Sequence, residues 1–185
     1  MILYIHGFNS SSQSGKALAM GQWMAGRGLG ESFAAPDLPH RPAEAIGMLE
    51  ALIDAAHGRV KLVGSSLGGF YATWLAEKHD LKAVLINPCV HCDEKLSGQI
   101  DQLQTNWHDG GNYLFTERHH AELTGLHLAA LRRPQNFLLL VETGDAVLDH
   151  CEAVAYYTGA RQVVLPGGDH GFSRFLDYLP DIVAF

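Results

Sequence analysis

Gly64-Ser65-Ser66-Leu67-Gly68 combines residue types and a spacing that suit nucleophilic chemistry at a serine. The pattern is Gly-x-Ser-x-Gly, and the apolar run Val60–Val63 leads straight into it. The chemistry needs a sharp strand-to-helix turn that lifts one hydroxyl above the strand end in a strained backbone conformation. Residues two before and two after the nucleophile must be small, because side chains there would collide. Gly64 and Gly68 meet that demand for Ser66, whereas Ser65 has no glycine two places before it. Leu67 would then present its backbone N–H at the start of the following helix, where partial positive charge favours an oxyanion. The plainer alternative is a glycine-rich turn with incidental serines.

A serine hydroxyl is a weak nucleophile at neutral pH and needs a base within hydrogen-bond reach. When the elbow precedes its partners in the chain, the order is serine, then acid, then histidine. The run Glu142-Thr143-Gly144-Asp145-Ala146-Val147-Leu148-Asp149 follows the apolar segment Phe137–Val141, and Pro166-Gly167-Gly168-Asp169-His170-Gly171 follows Gln162–Leu165. Of eleven histidines, His170 is the one that a glycine-rich loop beyond the last strand would return over the sheet edge. Asp145 is the favoured acid because it lies just past its strand. Asp149, four residues on, is the alternative and is also placed to cap the next helix. At the end of the first strand, His6-Gly7-Phe8 fits the second half of an oxyanion hole, with the Phe8 N–H as donor and His6 supporting the loop.

The elements that must carry these residues are short apolar runs alternating with helical patterns. Strands are expected at Ile2–Ile5, Ser32–Ala35, Val60–Val63, Ala83–Ile86, Phe137–Val141 and Gln162–Leu165. Several are apolar throughout, as in a parallel sheet covered on both faces. Ile46, Leu49, Ile53 and Ala56 share one helical face behind Pro42, and Phe70 and Trp74, with Leu67 and Leu75, mark another. The alternation predicts one α/β domain over residues 1–185, with about six mostly parallel strands and right-handed crossovers. Between Pro88 and Pro134 no strand is expected, and a helical pattern runs through Leu123, Leu126, Ala130 and Leu131. This insertion, about 88–136, is too long for a simple crossover and is expected to cover the site.

Composition removes several function classes. The chain has 185 residues, of which 47% are hydrophobic and 18% charged, with a net charge of −7. On average that charge repels phosphate, so neither a nucleic acid nor an anionic membrane is an expected partner. Met1–Gly7 carries no basic leader and too short an apolar run for a signal peptide. Three cysteines, Cys89, Cys92 and Cys151, cannot all pair within the chain, which suits a reducing, cytoplasmic setting. Cys89-x-x-Cys92 is half of a common zinc site, but no second cysteine pair or clean histidine spacing completes it. No phosphate-binding glycine motif follows the first strand. Trp107, Tyr113 and Phe115 either line an acyl pocket or pack the insertion onto the sheet.

Taken together, the ordered segments resemble the small bacterial YqiA-type esterases, a compact branch of the α/β-hydrolases. They are Tyr4-Ile5-His6-Gly7-Phe8-Asn9-Ser10-Ser11, Gly64-Ser65-Ser66-Leu67-Gly68-Gly69, Asn87-Pro88, Thr143-Gly144-Asp145, Val147-Leu148-Asp149, Ala155-Tyr156-Tyr157 and Gly167-Gly168-Asp169-His170. The likeness covers nearly the whole chain. It implies an α/β-hydrolase fold, cofactor-free hydrolysis of small acyl esters or thioesters, and Ser66, Asp145 and His170 as a triad. Cys89-Val90-His91-Cys92 and Trp107-His108-Asp109-Gly110-Gly111-Asn112-Tyr113 depart from the family pattern, which bears on substrate preference rather than on the triad.

Overall fold

The computed structural model describes residues 1–107 and 110–185, so His108 and Asp109 of the insertion lie outside the described residues. Six strands form one parallel sheet: β1 (Ile2–Ile5), β2 (Phe33–Ala34), β3 (Lys61–Ser65), β4 (Lys82–Ile86), β7 (Phe137–Glu142) and β8 (Arg161–Leu165). Their order is β2-β1-β3-β4-β7-β8, with Ile2 of β1 level with Lys61 of β3 and Lys61 in turn level with Lys82 of β4. The six expected strands are all present, shifted by a residue or two at their ends.

Helices cover both faces because successive strand residues point to opposite sides. Leu3, Ile5, Leu62, Leu85, Leu139 and Val141 pack with α2 (Pro42–Ala55), α3 (Leu67–His79) and α6 (His150–Tyr156). Tyr4, Val63, Val84, Ile86, Leu138 and Leu140 pack on the other side with α1 (Gly15–Ala25) and α7 (Phe175–Ala184). Strands buried on both faces explain the apolar runs without alternation. Pro42 opens α2 as its spacing predicts. Among the described residues, no helix is long and apolar enough to cross a membrane.

The insertion corrects the sequence expectation in two places. It holds α4 (Cys92–Leu96), an antiparallel hairpin of β5 (Gln102–Thr105) and β6 (Asn112–Phe115), and α5 (Glu117–Thr124). No strand was expected there because the usual cue is inverted: Gln104 is buried while Leu103 is 69% exposed. The helix also stops short of the predicted Leu131, with Gly125 as its C-cap, and Leu126 and Leu131 pack against the core from irregular backbone. Tyr113 stacks on His40 with ring centroids 4.3 Å apart, and Phe115 meets Phe8 edge-on. These two aromatics therefore pack the insertion onto the domain, and Trp107 is 81% exposed.

Candidate active site

Everything of chemical interest sits at the C-terminal ends of the parallel strands, where open α/β sheets leave a crevice. Between β3 and α3, Ser66 has φ 56° and ψ −122°, a region that costs a non-glycine residue about 1–3 kcal/mol. The turn is tied on three sides. The Ser66 N–H donates to Ile86 O, and its carbonyl accepts from Gly69 N and from Cys89 N. A Cβ on Gly64 would collide with the backbone of Gly68, and one on Gly68 would run into Ile5 O. The second glycine is thus required by strand β1 next door as well as by the turn.

Ser66, Asp145 and His170 meet although they are far apart in sequence. His170 Nε2 is 3.1 Å from Ser66 Oγ, and His170 Nδ1 is 2.7 Å from Asp145 Oδ2. Facing a carboxylate, Nδ1 carries the proton, which leaves the Nε2 lone pair to accept from the serine hydroxyl. The Asp145 side chain is 2% exposed, and its other oxygen accepts from Val147 N at 2.8 Å and Leu148 N at 2.9 Å. That turn fixes the carboxylate and gives the Ala-Val-Leu run after the acid a structural purpose. Asp149 is elsewhere: it caps α6 by accepting from Cys151 N at 2.8 Å, which lowers its pKa.

The loop after β1 supplies the opposite wall. His6 Nε2 accepts from Leu38 N at 3.2 Å, so Nδ1 bears the proton and donates to Gly7 O at 2.9 Å. His6 therefore braces the loop, and Gly7 comes so close that a Cβ there would lie 3.3 Å from Ser66 Cβ. Among the described residues no backbone hydrogen bond uses the Phe8 N–H. Leu67 is the first residue of α3, so its N–H has no carbonyl one turn back within the helix. Both residues line a cleft of about 460 Å³ that also holds Ser66 and His170. Leu96, Leu148, Cys89 and Cys92 supply much of its apolar wall. Burial pushes the Cys92 thiol well above its ordinary pKa, with the neighbouring Cys89 adding to the shift. Neither cysteine belongs to a converging donor set; among the described residues that description fits Asp149, His150 and Cys151 at the start of α6.

Two residues with no role in the sequence reading hold the histidine loop. Asn87, with φ 40°, donates from Nδ2 to Asp169 O and His170 O and accepts from Glu142 N. Glu142 ends β7 fully buried, and its carboxylate accepts from Asp169 N, Ser173 N, Ser173 Oγ and Arg174 N. The available signal was a carboxylate closing an otherwise apolar strand, since a buried charge is kept only where it is hydrogen-bonded. Burial acts to raise the Glu142 pKa, but these bonds outweigh it and the net shift is downward. A lowered carboxylate pKa stabilises the fold fully above the ordinary value of about 4.3, and this is lost as pH falls through the native value. Glu142→Gln is expected to cost about 3 kcal/mol near neutral pH, because an amide nitrogen would then face backbone donors. Urea unfolding should show that deficit narrowing towards pH ~3 as the wild-type carboxylate protonates. Equal stability at neutral pH would contradict the brace.

The sheet order, the strained turn at Ser66 and the crevice above it define a protein of the α/β-hydrolase fold. A monoacylglycerol lipase from Paleococcus ferrophilus superposes with a TM-score of 0.69 at 16% identity, covering 99% of this chain and 93% of that one. Est1E from Butyrivibrio proteoclasticus, solved with ferulic acid bound, gives 0.68 at 15% identity over 100% and 89% of the two chains. Residues 1–185 match the uncharacterised protein family UPF0227 throughout, and the chain belongs to that family. A UPF0227 protein of Shewanella sp. strain MR-7 is 28% identical over 194 residues, covering 100% of this chain and 98% of its own. The resemblance to YqiA-type esterases read from the motifs agrees with this placement.

Proposed function

We propose that the protein is a serine hydrolase that cleaves small carboxylic esters or thioesters through an acyl-Ser66 intermediate. The observation that carries this is the continuous relay Asp145–His170–Ser66, at 2.7 and 3.1 Å. His170 Nε2 takes the Ser66 proton as Oγ attacks the carbonyl, and Asp145 stabilises the imidazolium. The tetrahedral oxyanion is held by the N–H groups of Phe8 and Leu67. His170 returns its proton to the departing alcohol or thiol. Water, deprotonated in turn by His170, then releases the acid and restores Ser66. No step calls for a cofactor. A cleft of about 460 Å³ suits short acyl groups, and a structural relative named as a monoacylglycerol lipase supports the reaction class. The cysteines are all unpaired, which fits a cytoplasmic setting.

A fluorophosphonate probe tests the reading directly, since it phosphonylates only an activated serine. Digestion and mass spectrometry should place a single adduct on Ser66. A native protein that stays unlabelled would instead be a binding module on a hydrolase scaffold.

A further inference from the structure

Among the described residues, the ionisable nitrogen groups lining the cleft are Lys16, Lys95 and His170, and no carboxylate joins them, although the chain has 20 acidic residues against 13 basic ones. The two lysines differ in kind. Lys95 is paired with Glu152 at 2.8 Å, so its charge is already matched. Lys16 Nζ donates to Gly171 O at 2.9 Å, the carbonyl next to His170. Among the described residues, no carboxylate lies within ion-pair distance of it.

An ammonium partly removed from water, with one acceptor for three N–H groups, gains from an anion more than a solvated one does. Burial lowers the Lys16 pKa, and Asp169, Asp145 and Glu142 only partly offset this. The oxygens of Asp145 and Glu142 are already occupied by His170, Val147, Leu148 and the histidine loop. Ser14 also lines the cleft, its Oγ shielded from solvent beside the Tyr4 hydroxyl, with which it interacts. The first turn of α1, which begins right after Ser14, carries no acidic side chain that would compete.

We propose that the substrates of this cleft are esters bearing an anionic group, which Lys16 and Ser14 hold beside Ser66. The inference rests on Ser66 being the acylated nucleophile. Two matched pairs test it: p-nitrophenyl hemiadipate against its methyl ester, with the charge on the acyl half, and p-acetoxybenzoate against its methyl ester, with the charge on the alcohol half. For at least one pair, wild-type kcat/KM should favour the anion about tenfold at low ionic strength, and salt should shrink the preference. The pair that responds shows which half of the substrate Lys16 faces. Lys16→Met should erase the preference and Lys16→Arg keep part of it. The salt response of the wild type stands without either variant. Hydrolysis of the neutral esters with no preference in either pair, or with one that survives Lys16→Met, overturns the inference alone. Hydrolysis of none of the four overturns it together with the esterase reading.

Discussion

Ser66→Ala is expected to lower kcat for p-nitrophenyl acetate, butyrate and octanoate by about 10⁴-fold or more, because removing the nucleophile of such a relay disables it as a unit. The same protein should fold normally. The substitution removes Oγ but keeps Cβ, the atom that Gly7 approaches. The bonds that secure the turn are backbone ones, from Ser66 N to Ile86 O and from Gly69 N and Cys89 N to Ser66 O. Alanine at φ 56° bears the same backbone strain as serine, so thermal melts of the two should differ by no more than about 0.5 kcal/mol in stability. Whatever rate remains belongs to the oxyanion donors and to binding, which the change leaves in place. Turnover of any of the three esters at the wild-type rate by folded Ser66→Ala protein would remove Ser66 from the mechanism.

The parts of this site that were legible in the sequence are those whose geometry is made locally. The elbow is one: Gly64 and Gly68 flank Ser66 because neighbouring backbone leaves no room for a Cβ at either position. His170 was legible through the two glycines before it, Gly167 and Gly168, which both adopt positive φ as the loop turns back. The braces were not, because their partners are remote. Asn87 reaches residues more than 80 positions away, and nothing around Asn87-Pro88 shows that it faces the histidine loop. Lys16 sits in the first turn of α1 and becomes a cleft residue only once α1 packs against α7, whose preceding loop carries Gly171. The hairpin of the insertion stayed hidden for another reason. Its strands are four residues each, and an exposed Leu103 beside a buried Gln104 reverses the pattern by which strands are read.

The choice between Asp145 and Asp149 can be decided by one pair of variants. In Asp145→Asn the orientation of the new amide is set by the turn. Val147 N and Leu148 N both donate to Oδ1, so the amide oxygen must stay there and the NH2 group takes the place of Oδ2 beside His170. A donor now faces His170 Nδ1, which can accept only by giving up its proton. The ring then carries hydrogen on Nε2, where the Ser66 hydroxyl needs a lone pair. With the wrong tautomer and no carboxylate to stabilise the imidazolium, kcat near neutral pH should fall by about 10⁴-fold. The architecture should be spared, because the turn keeps both of its N–H bonds. Asp149→Ala removes a helix cap instead, and should cost about 1 kcal/mol of stability while kcat stays within about twofold. Steady-state kinetics on the butyrate ester, paired with urea melts, reads both effects at once. An active Asp145→Asn enzyme alongside an inactive but folded Asp149→Ala would exchange the two roles, and would require α6 to unwind at its first turn so that Asp149 could reach His170.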